Sequence, residues 1–153
     1  TLFRSTYNEF DIKISTWMIH SENRQEIGIF SYKVKIMNKE ELGSWGENTA
    51  LDYLHQKGFC LVDRNVRFKK WEVDLILEDG EDLVIVEVKA RCTGQIGEPW
   101  RAVTRTKQRQ IIRVADQYVQ GNNIDKNVRF DIVSIVHNQY QTTIEHIADA
   151  FSA

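Results

Sequence analysis

Charged side chains occupy alternate positions at the end of one strongly apolar segment, LVIVEVKAR (residues 83–91). Successive side chains of a β-strand point to opposite faces of the sheet, so Glu87 and Lys89 share a face. The preceding β-rich segment EVDLILE (residues 72–78) carries Asp74. If the two segments form a hairpin, the pattern predicts two carboxylates and a lysine close together on one sheet face.

Two neighbouring carboxylates and an ammonium group suit metal-assisted hydrolysis. Without a partner, the two like charges would repel one another and raise the pKa of one of them. A divalent cation such as Mg²⁺ removes that repulsion, because it accepts oxygen ligands from one or two carboxylates and leaves its other positions to water and phosphate. The ammonium group could then orient a water or stabilise negative charge on a phosphate. The alternative is an ordinary polar sheet face with cross-strand ion pairs, each contributing up to roughly 1 kcal/mol.

The register of this hairpin is a prediction of its own. If residues 79–82 form a four-residue turn, Glu78 pairs with Leu83, and Asp74 lies directly across from Glu87. The opposite face then carries an uninterrupted apolar layer, and we expect that layer to belong to the core. Its members are Val73, Leu75, Leu77, Val84, Val86 and Val88.

A helix is predicted ahead of the two strands. Asn38 is a suitable N-cap with Glu41 three residues later, and apolar residues then recur at helical spacing. Glu47 falls at the edge of the apolar stripe, from which a carboxylate can reach a neighbouring site; a solvated flank position is the simpler interpretation. Gly43 and Gly46 are costly inside a helix and indicate close approach to another backbone or to a ligand.

The elements that would position these residues follow one another in a regular order. From Met37 onward the sequence predicts a helix, three strands, a second helix over residues 104–120 and two further strands, which is an α/β arrangement. Residues 1–36 lack the regular pattern that begins at Met37, although they contain two β-rich segments. We interpret them as a peripheral extension of a domain that spans residues 37–153.

Two basic segments could hold a polyanion, one between the first two strands and one leading into the second helix. Helix N-termini normally favour acidic residues, so the cations in the first turns of the second helix indicate a phosphate ligand; a solvated cationic face is the alternative. The net charge of −2 gives no overall attraction to nucleic acid, so binding would depend on these local patches. The basic residues singled out are Arg67, Lys69, Lys70, Arg101, Arg105, Lys107 and Arg109.

Composition excludes several other classes of protein. The chain has 153 residues, of which 42% are hydrophobic and 27% are charged, as in ordinary globular domains. The sequence contains no apolar run long enough to span a bilayer and no signal-peptide pattern, so we expect a cytoplasmic location and no membrane partner. The two cysteines, Cys60 and Cys92, lack the spacing of a zinc site or a disulfide framework.

Six sequence blocks between Met37 and Ala153 occur in the order found in the YraN-like family of predicted endonucleases, which this chain resembles. The blocks are GSWGENTALDYLHQKGF, EVDLI, VIVEVKAR, IGEPWRAV, KQRQIIRVADQYV and VRFDIV. That family resembles the PD-(D/E)xK nucleases and is similar to archaeal Holliday junction resolvases. The resemblance implies a restriction-endonuclease-like αβββαβ core, in which helices flank a central mixed sheet.

The resemblance also implies roles for individual residues. Asp74 and Glu87 would be ligands of Mg²⁺ or Mn²⁺, and Lys89 would be the catalytic lysine. Glu47 would be the acid of the first helix that assists the metal site. Glu72 matches a further family position whose role is open.

The function expected from the resemblance is Mg²⁺-dependent endonuclease activity on DNA, including branched or partly single-stranded DNA. Lys107 and Gln108 match the family's second-helix block, and both are expected to contact nucleic acid together with Arg91 and the basic residues named above. A homodimer would suit the resolution of a branched junction, although the sequence identifies no interface. The alternative is a non-catalytic nucleic-acid-binding or adaptor module on the same fold.

Overall fold

The computed structural model describes residues 14–21, 24–31, 37–92, 103–138 and 140–153, with side chains from residue 37 onward. The chain divides into two compact units, residues 1–37 and residues 38–153. In the first unit, strands β1 (Ile14–Ser21) and β2 (Arg24–Ser31) form an antiparallel pair. That residues 1–36 are peripheral to the second unit stays a prediction. Across the described ranges, no helix is both long and apolar enough to cross a membrane.

The second unit is a five-stranded mixed sheet with two helices. The strand order is β3-β4-β5-β6-β7; the β5–β6 pair is parallel, and the other described pairs of this sheet are antiparallel. The predicted α/β class and mixed sheet are confirmed. In chain order the elements are α1 (Lys39–Gln56), β3 (Cys60–Phe68), β4 (Trp71–Asp79), β5 (Asp82–Cys92), α2 (Arg105–Gly121), β6 (Asn127–His137) and β7 (Thr142–Phe151).

Helix α1 begins where the sequence predicts. The Asn38 side chain accepts a hydrogen bond from the Glu41 backbone N–H (2.9 Å), and the Glu41 carboxylate accepts one from the Asn38 N–H (3.1 Å). This capping box satisfies two N–H groups that a helix N-terminus leaves without backbone partners. The helix then packs on the sheet through Ala50 and Leu54, which are fully buried.

Gly46 allows α1 to approach strand β5 closely. A Cβ atom at this position would lie 2.5 Å from the Cβ of Ala90, which is too close for an ordinary contact. The predicted close approach is therefore confirmed for Gly46. At Gly43, which lies on the exposed side of the helix, an added Cβ would meet no described atom within 4 Å, so no described backbone approaches it closely and a ligand contact there stays a prediction.

Strands β4 and β5 pair in the predicted register. Glu78 lies opposite Leu83, and the ladder closes with the pair Asp79 and Asp82. The turn between them is shorter than the four residues predicted, and Gly80 adopts a φ of 62° that suits glycine. The shorter turn leaves the register unchanged, because it adds one pair beyond Glu78 and Leu83.

Two apolar clusters, one with each helix, form the core. The cluster packed with α1 contains Ala50, Leu54, Leu75, Leu77, Val84, Val86 and Val88. The cluster packed with α2 contains Val73, Ile76, Leu83, Ile85, Ile111 and Val114. The sheet face that carries Asp74 and Glu87 is therefore also a core face along much of its length.

Val73 departs from the prediction, because it lies in the α2 cluster and not with Leu75. The pairs between β4 and β5 run from Asp79 and Asp82 to Leu75 and Val86, although both strands continue further. Strict alternation of faces holds along the paired segment. It fails beyond the last pair, where β4 is no longer constrained by β5.

Candidate active site

Asp74 and Glu87 lie at the point where β4 separates from β5. The last ladder pair is Leu75 and Val86, and Asp74 and Glu87 are the next residues along the two strands, so the predicted pair of Asp74 with Glu87 falls one step beyond the ladder. Beyond that pair, the backbone N–H of Val88 donates a hydrogen bond to Asp74 Oδ2 (2.7 Å). A side chain of β4 thus uses a backbone donor of β5, and the bond fixes the Asp74 carboxylate beside Glu87.

Glu87 is a buried carboxylate held by two lysines. Only 2% of the residue is exposed. Lys89 Nζ donates a hydrogen bond to Oε1, and Lys107 Nζ, from helix α2, lies 3.1 Å from Oε2. Compensation of this kind is what a buried charge requires. Among the described atoms Oε2 accepts no hydrogen bond, so its contact with Lys107 is an ion pair without hydrogen-bond geometry.

The Asp74 carboxyl group titrates far from its ordinary range. Burial raises the pKa of Asp74 to about 7, and the negative charge of Glu87 adds to the rise. The Val88 N–H and the charges of Lys107 and Lys89 oppose it. The pair of carboxylates therefore favours an added proton or an added cation.

A second charged group lies on β3, β4 and α1. Arg64 Nη2 is 3.4 Å from Glu47 Oε2, and Arg67 Nε donates to Glu72 Oε2 (2.9 Å). With its amide nitrogen turned toward both carboxylates, Asn65 donates to Glu47 (3.2 Å) and to Glu72 (3.1 Å). Asn65 has a φ of 54°, a conformation that asparagine tolerates better than most residues. Glu47 is thus connected to Glu72 through one amide group.

Lys107 connects the two groups. Besides its ion pair with Glu87, its Nζ donates to the backbone carbonyl of Glu72 (3.3 Å). Glu47 is linked to the carboxylate pair through Asn65, Glu72 and Lys107. The structure therefore brings Glu87 together with Lys89 and Lys107 directly, and with Glu47 through intermediaries.

Asp74 and Glu87 suit a hydrated divalent cation. Glu87 Oε2 is buried and accepts no hydrogen bond from the described atoms, and the Asp74 carboxylate is close enough for the two negative charges to interact. Mg²⁺ is often bound through one or two carboxylates with water and phosphate at its other positions. The described side chains do not form a complete set of metal ligands, because they include no group of three or more His, Cys, Asp or Glu placed to hold a metal ion. The residues fit a metal that keeps most of its water.

The residues expected to contact nucleic acid are only partly gathered near this site. Lys107 lies at the carboxylates, and Gln108 Nε2 donates to the Val103 carbonyl (3.2 Å), where it anchors the start of α2. Arg105 is exposed at the beginning of the helix. Arg109 is also exposed, with Nη2 3.4 Å from Thr106 Oγ1.

The other basic residues follow the strands. Arg67 is engaged with Glu72, whereas Lys69 and Lys70 are exposed at the turn between β3 and β4. Arg91 follows Lys89 by two residues on β5. The predicted contact Arg101 lies outside the described residues.

A buried polar cluster on β6 and β7 was missed by the sequence analysis. Asp131 is fully buried and accepts hydrogen bonds from Arg129 Nε (3.0 Å) and His146 Nε2 (2.8 Å). Burial acts to raise the pKa of Asp131, but the hydrogen bonds from His146 and Arg129 outweigh it and hold the pKa below its ordinary value. Arg129 also pairs with Asp79 (3.0 Å) and Asp82 (3.4 Å) at the β4–β5 turn. The signal was an acidic residue inside the apolar block VRFDIV.

Comparison with known proteins identifies the family. A family model described as "Uncharacterised protein family UPF0102" matches residues 46–135. The chain belongs to the UPF0102 family. The matched segment contains Glu47, Asp74, Glu87, Lys89 and Lys107. The YraN-like resemblance is thereby confirmed at the level of the family, while membership of the PD-(D/E)xK nucleases stays a prediction.

Relatives from several bacteria match most of this chain and most of their own length. The chain is 44% identical over 117 residues to a UPF0102 protein of Chlorobium chlorochromatii, in an alignment that covers 72% of this chain and 91% of the relative. It is 40% identical over 111 residues to a UPF0102 protein of Christiangramia forsetii, in an alignment that covers 72% of this chain and 93% of the relative. A UPF0102 protein of Dictyoglomus thermophilum is 36% identical over 118 residues, covering 75% of this chain and 100% of the relative.

Proposed function

We propose that this UPF0102 protein is a cytoplasmic, Mg²⁺- or Mn²⁺-dependent endonuclease that hydrolyses phosphodiester bonds in DNA, on a restriction-endonuclease-like PD-(D/E)xK domain. The observation that carries the proposal is the junction of Asp74, Glu87 and Lys89 where β4 leaves β5. One of the two carboxylates is nearly inaccessible to solvent and contacts a lysine. Burying such charges costs desolvation free energy, and a structural role alone does not require that arrangement.

Asp74 and Glu87 would hold the cation between two adjacent strands. A divalent ion bound there would polarise a phosphoryl oxygen and make its bound water more acidic. The Val88 N–H fixes Asp74, and Lys89 fixes Glu87, so the carboxylate oxygens are oriented before any ligand arrives. Such prior orientation avoids the cost of rearranging dipoles during the reaction.

Lys89 would act on the attacking water or on the phosphate. Its side chain is 30% exposed, so the ammonium group contacts Glu87 and can still be reached from solvent. From that position it can hold a water by a hydrogen bond or stabilise the negative charge that develops on phosphate. Glu47 would help to fix this edge of the site through Asn65 and Glu72, without binding the metal itself.

The DNA backbone would lie along the start of α2. The N-terminus of a helix attracts phosphate through free N–H groups and the helix dipole. Arg105 and Arg109 are exposed in the first turns of α2, whose first turn contains no acidic residue. Phosphate bound there would be close to the carboxylates, because Lys107 of the same turn touches Glu87.

A second candidate function is nucleic-acid binding without catalysis. The observation that favours it is the existing compensation of Glu87 by Lys89 and Lys107, which neutralises much of the charge that would attract a metal. The pair is also only two carboxylates, with no third ligand from the described side chains. Such a module would bind phosphate through α2 and would not require a cation.

The test is cleavage of labelled single-stranded, duplex, flap and four-way DNA in Mg²⁺ or Mn²⁺. We expect wild type to cleave at least one substrate, and Asp74→Ala and Lys89→Ala each to lose about 100-fold or more in rate. Matched controls are Glu81→Ala and Lys39→Ala, which remove an exposed acid and an exposed base elsewhere and should leave the rate unchanged.

Two results separate the candidates. Loss of cleavage in both site variants, with normal rates in both controls, supports the nuclease and names its substrate. The other result is that wild type cuts none of the substrates but binds DNA, and that the Asp74 and Lys89 variants bind DNA with the same affinity. That result excludes the nuclease and supports the binding module.

A further inference from the structure

Lys107 is the residue by which helix α2 reaches the carboxylate pair. Its Nζ lies between two oxygen atoms of neighbouring strands, 3.1 Å from Glu87 Oε2 and 3.3 Å from the Glu72 carbonyl oxygen. Its side chain is 28% exposed, so the ammonium group is partly shielded from solvent. The charge also acts on Asp74, whose raised pKa it opposes. An ammonium group among oxygen atoms occupies surroundings that would equally suit a metal ion.

Helix α2 itself does not favour a cation at this position. Lys107 is in the first turn, and its backbone N–H is bound by the Thr104 side chain that caps the helix (3.3 Å). Positive charge near a helix N-terminus is destabilising because the macrodipole is positive there. The first turn holds no acidic residue that would offset the charge. The ion pair with Glu87 is therefore the main contact that holds the ammonium group in place.

We propose that Lys107 occupies, in the metal-free protein, the site of positive charge that a divalent cation takes at Glu87 Oε2. The cation and the ammonium group compete for one buried oxygen, so metal entry displaces Lys107 from Glu87. The displaced side chain then meets DNA phosphate at the N-terminus of α2, where a phosphate is attracted and a cation alone is not. This inference rests on the metal site of the proposed function.

Lys89 does not share this behaviour. It contacts the other oxygen of Glu87, Oε1, and it lies two residues away on the same strand and the same face. Its attachment to β5 keeps it next to the carboxylate whether or not Oε2 has another partner. Lys107 is attached to a different element, so its ammonium group can turn away from Glu87 while the sheet stays unchanged.

The test is Mn²⁺ binding by the full chain, measured by electron paramagnetic resonance and by calorimetry. Lys107→Met removes the charge and keeps most of the side-chain length, and we expect it to bind Mn²⁺ about two- to fivefold more tightly, the range that one partly exposed ion pair supports. Lys107→Gln, which keeps a donor for the Glu72 carbonyl, should show the same gain. Arg109→Met removes a charge from the same helix end, where Arg109 contacts no carboxylate of the described residues, and should change the affinity by less than about twofold.

A second measurement follows the displaced lysine. In Ca²⁺, Lys107→Met is expected to weaken binding of a short DNA duplex by about threefold or more, as loss of one phosphate contact does, and to have a smaller effect in EDTA. An equal loss in Ca²⁺ and EDTA overturns the displacement, because Lys107 would then contact phosphate without leaving Glu87.

The outcomes distinguish this inference from the proposed function. If wild type binds Mn²⁺ and Asp74→Asn abolishes that binding, the metal site stands. Unchanged or weaker Mn²⁺ affinity in both Lys107 variants then overturns the inference alone. Wild type that binds no Mn²⁺ overturns the inference and the metal-dependent nuclease together.

Discussion

Replacing Gly46 with alanine tests how closely helix α1 must approach strand β5. The added Cβ would lie 2.5 Å from the Cβ of Ala90 and 3.8 Å from Val88 Cγ1. Carbon atoms prefer a separation of about 3.5 to 4.0 Å, so α1 or β5 would have to move by roughly 1 Å. The colliding atom is attached directly to the backbone of Ala90, and no change of side-chain rotamer relieves the contact.

The expected size of the effect follows from two opposing terms. Alanine in place of glycine inside a helix stabilises it by about 1 kcal/mol, and overpacking a closely packed contact costs about 1 to 3 kcal/mol. Because the backbone itself must shift, we take the upper part of that range and expect Gly46→Ala to lower the free energy of unfolding by about 1 to 2 kcal/mol. Gly43→Ala is the matched control, since an added Cβ there meets no described atom within 4 Å and only the gain of about 1 kcal/mol applies.

Urea unfolding followed by tryptophan fluorescence and circular dichroism measures both variants. The two substitutions should shift the transition midpoint in opposite directions, with a difference in unfolding free energy of about 2 to 3 kcal/mol. An equal rise in the free energy of unfolding for both alanine variants would refute the reasoning, because it would mean that α1 is not in close contact with Ala90. Glu47 follows Gly46 directly, so the displacement should also weaken its link to Asn65.

Two further predictions concern charge. Asp131→Asn should lower the free energy of unfolding by about 3 kcal/mol at pH 7, because Arg129 and His146 lose a buried carboxylate partner. Although burial opposes the shift, hydrogen bonds lower the pKa of Asp131, so this stability is present above the unfolded pKa of about 3.9 and is lost as pH falls through the folded pKa. Urea unfolding at pH 7 and pH 2.5 should show the gap between wild type and variant shrink; a constant gap contradicts the assignment. The double substitution Arg105→Glu with Arg109→Glu should weaken DNA binding and reduce the slope of log K against log salt by about 2, and an unchanged slope in an anisotropy titration would exclude a phosphate contact at this helix end.

The carboxylate pair could be predicted from the sequence because the signals that define it are local. Glu87 and Lys89 share a face by two-residue alternation, and the register that brings β4 and β5 together follows from a turn a few residues away. The capping box at Asn38 is equally local. These features depend on neighbours along the chain, which a single sequence shows.

Features that depend on packing between elements could not be predicted in the same way. Gly43 and Gly46 carry the same sequence signal, yet only Gly46 faces β5, because the sequence does not specify how the helix is rotated on the sheet. Val73 packs in the α2 cluster and not with Leu75 as predicted, because the β4–β5 ladder ends before it. Asp131 was visible as an acid in an apolar block, but its partner His146 is 15 residues away and on another strand.

Lys107 shows why the same limit affects function. The sequence places a cation at a helix N-terminus and predicts a phosphate contact, whereas the structure places its ammonium group on a buried carboxylate. Both are physically reasonable, since the helix end attracts phosphate and Glu87 requires a cation. Under the proposed displacement, one flexible side chain would serve the two positions in turn. The contact that Lys107 makes then depends on whether a metal ion holds Glu87, which makes Mn²⁺ affinity in the Lys107 variants the most direct measurement of how this site is controlled.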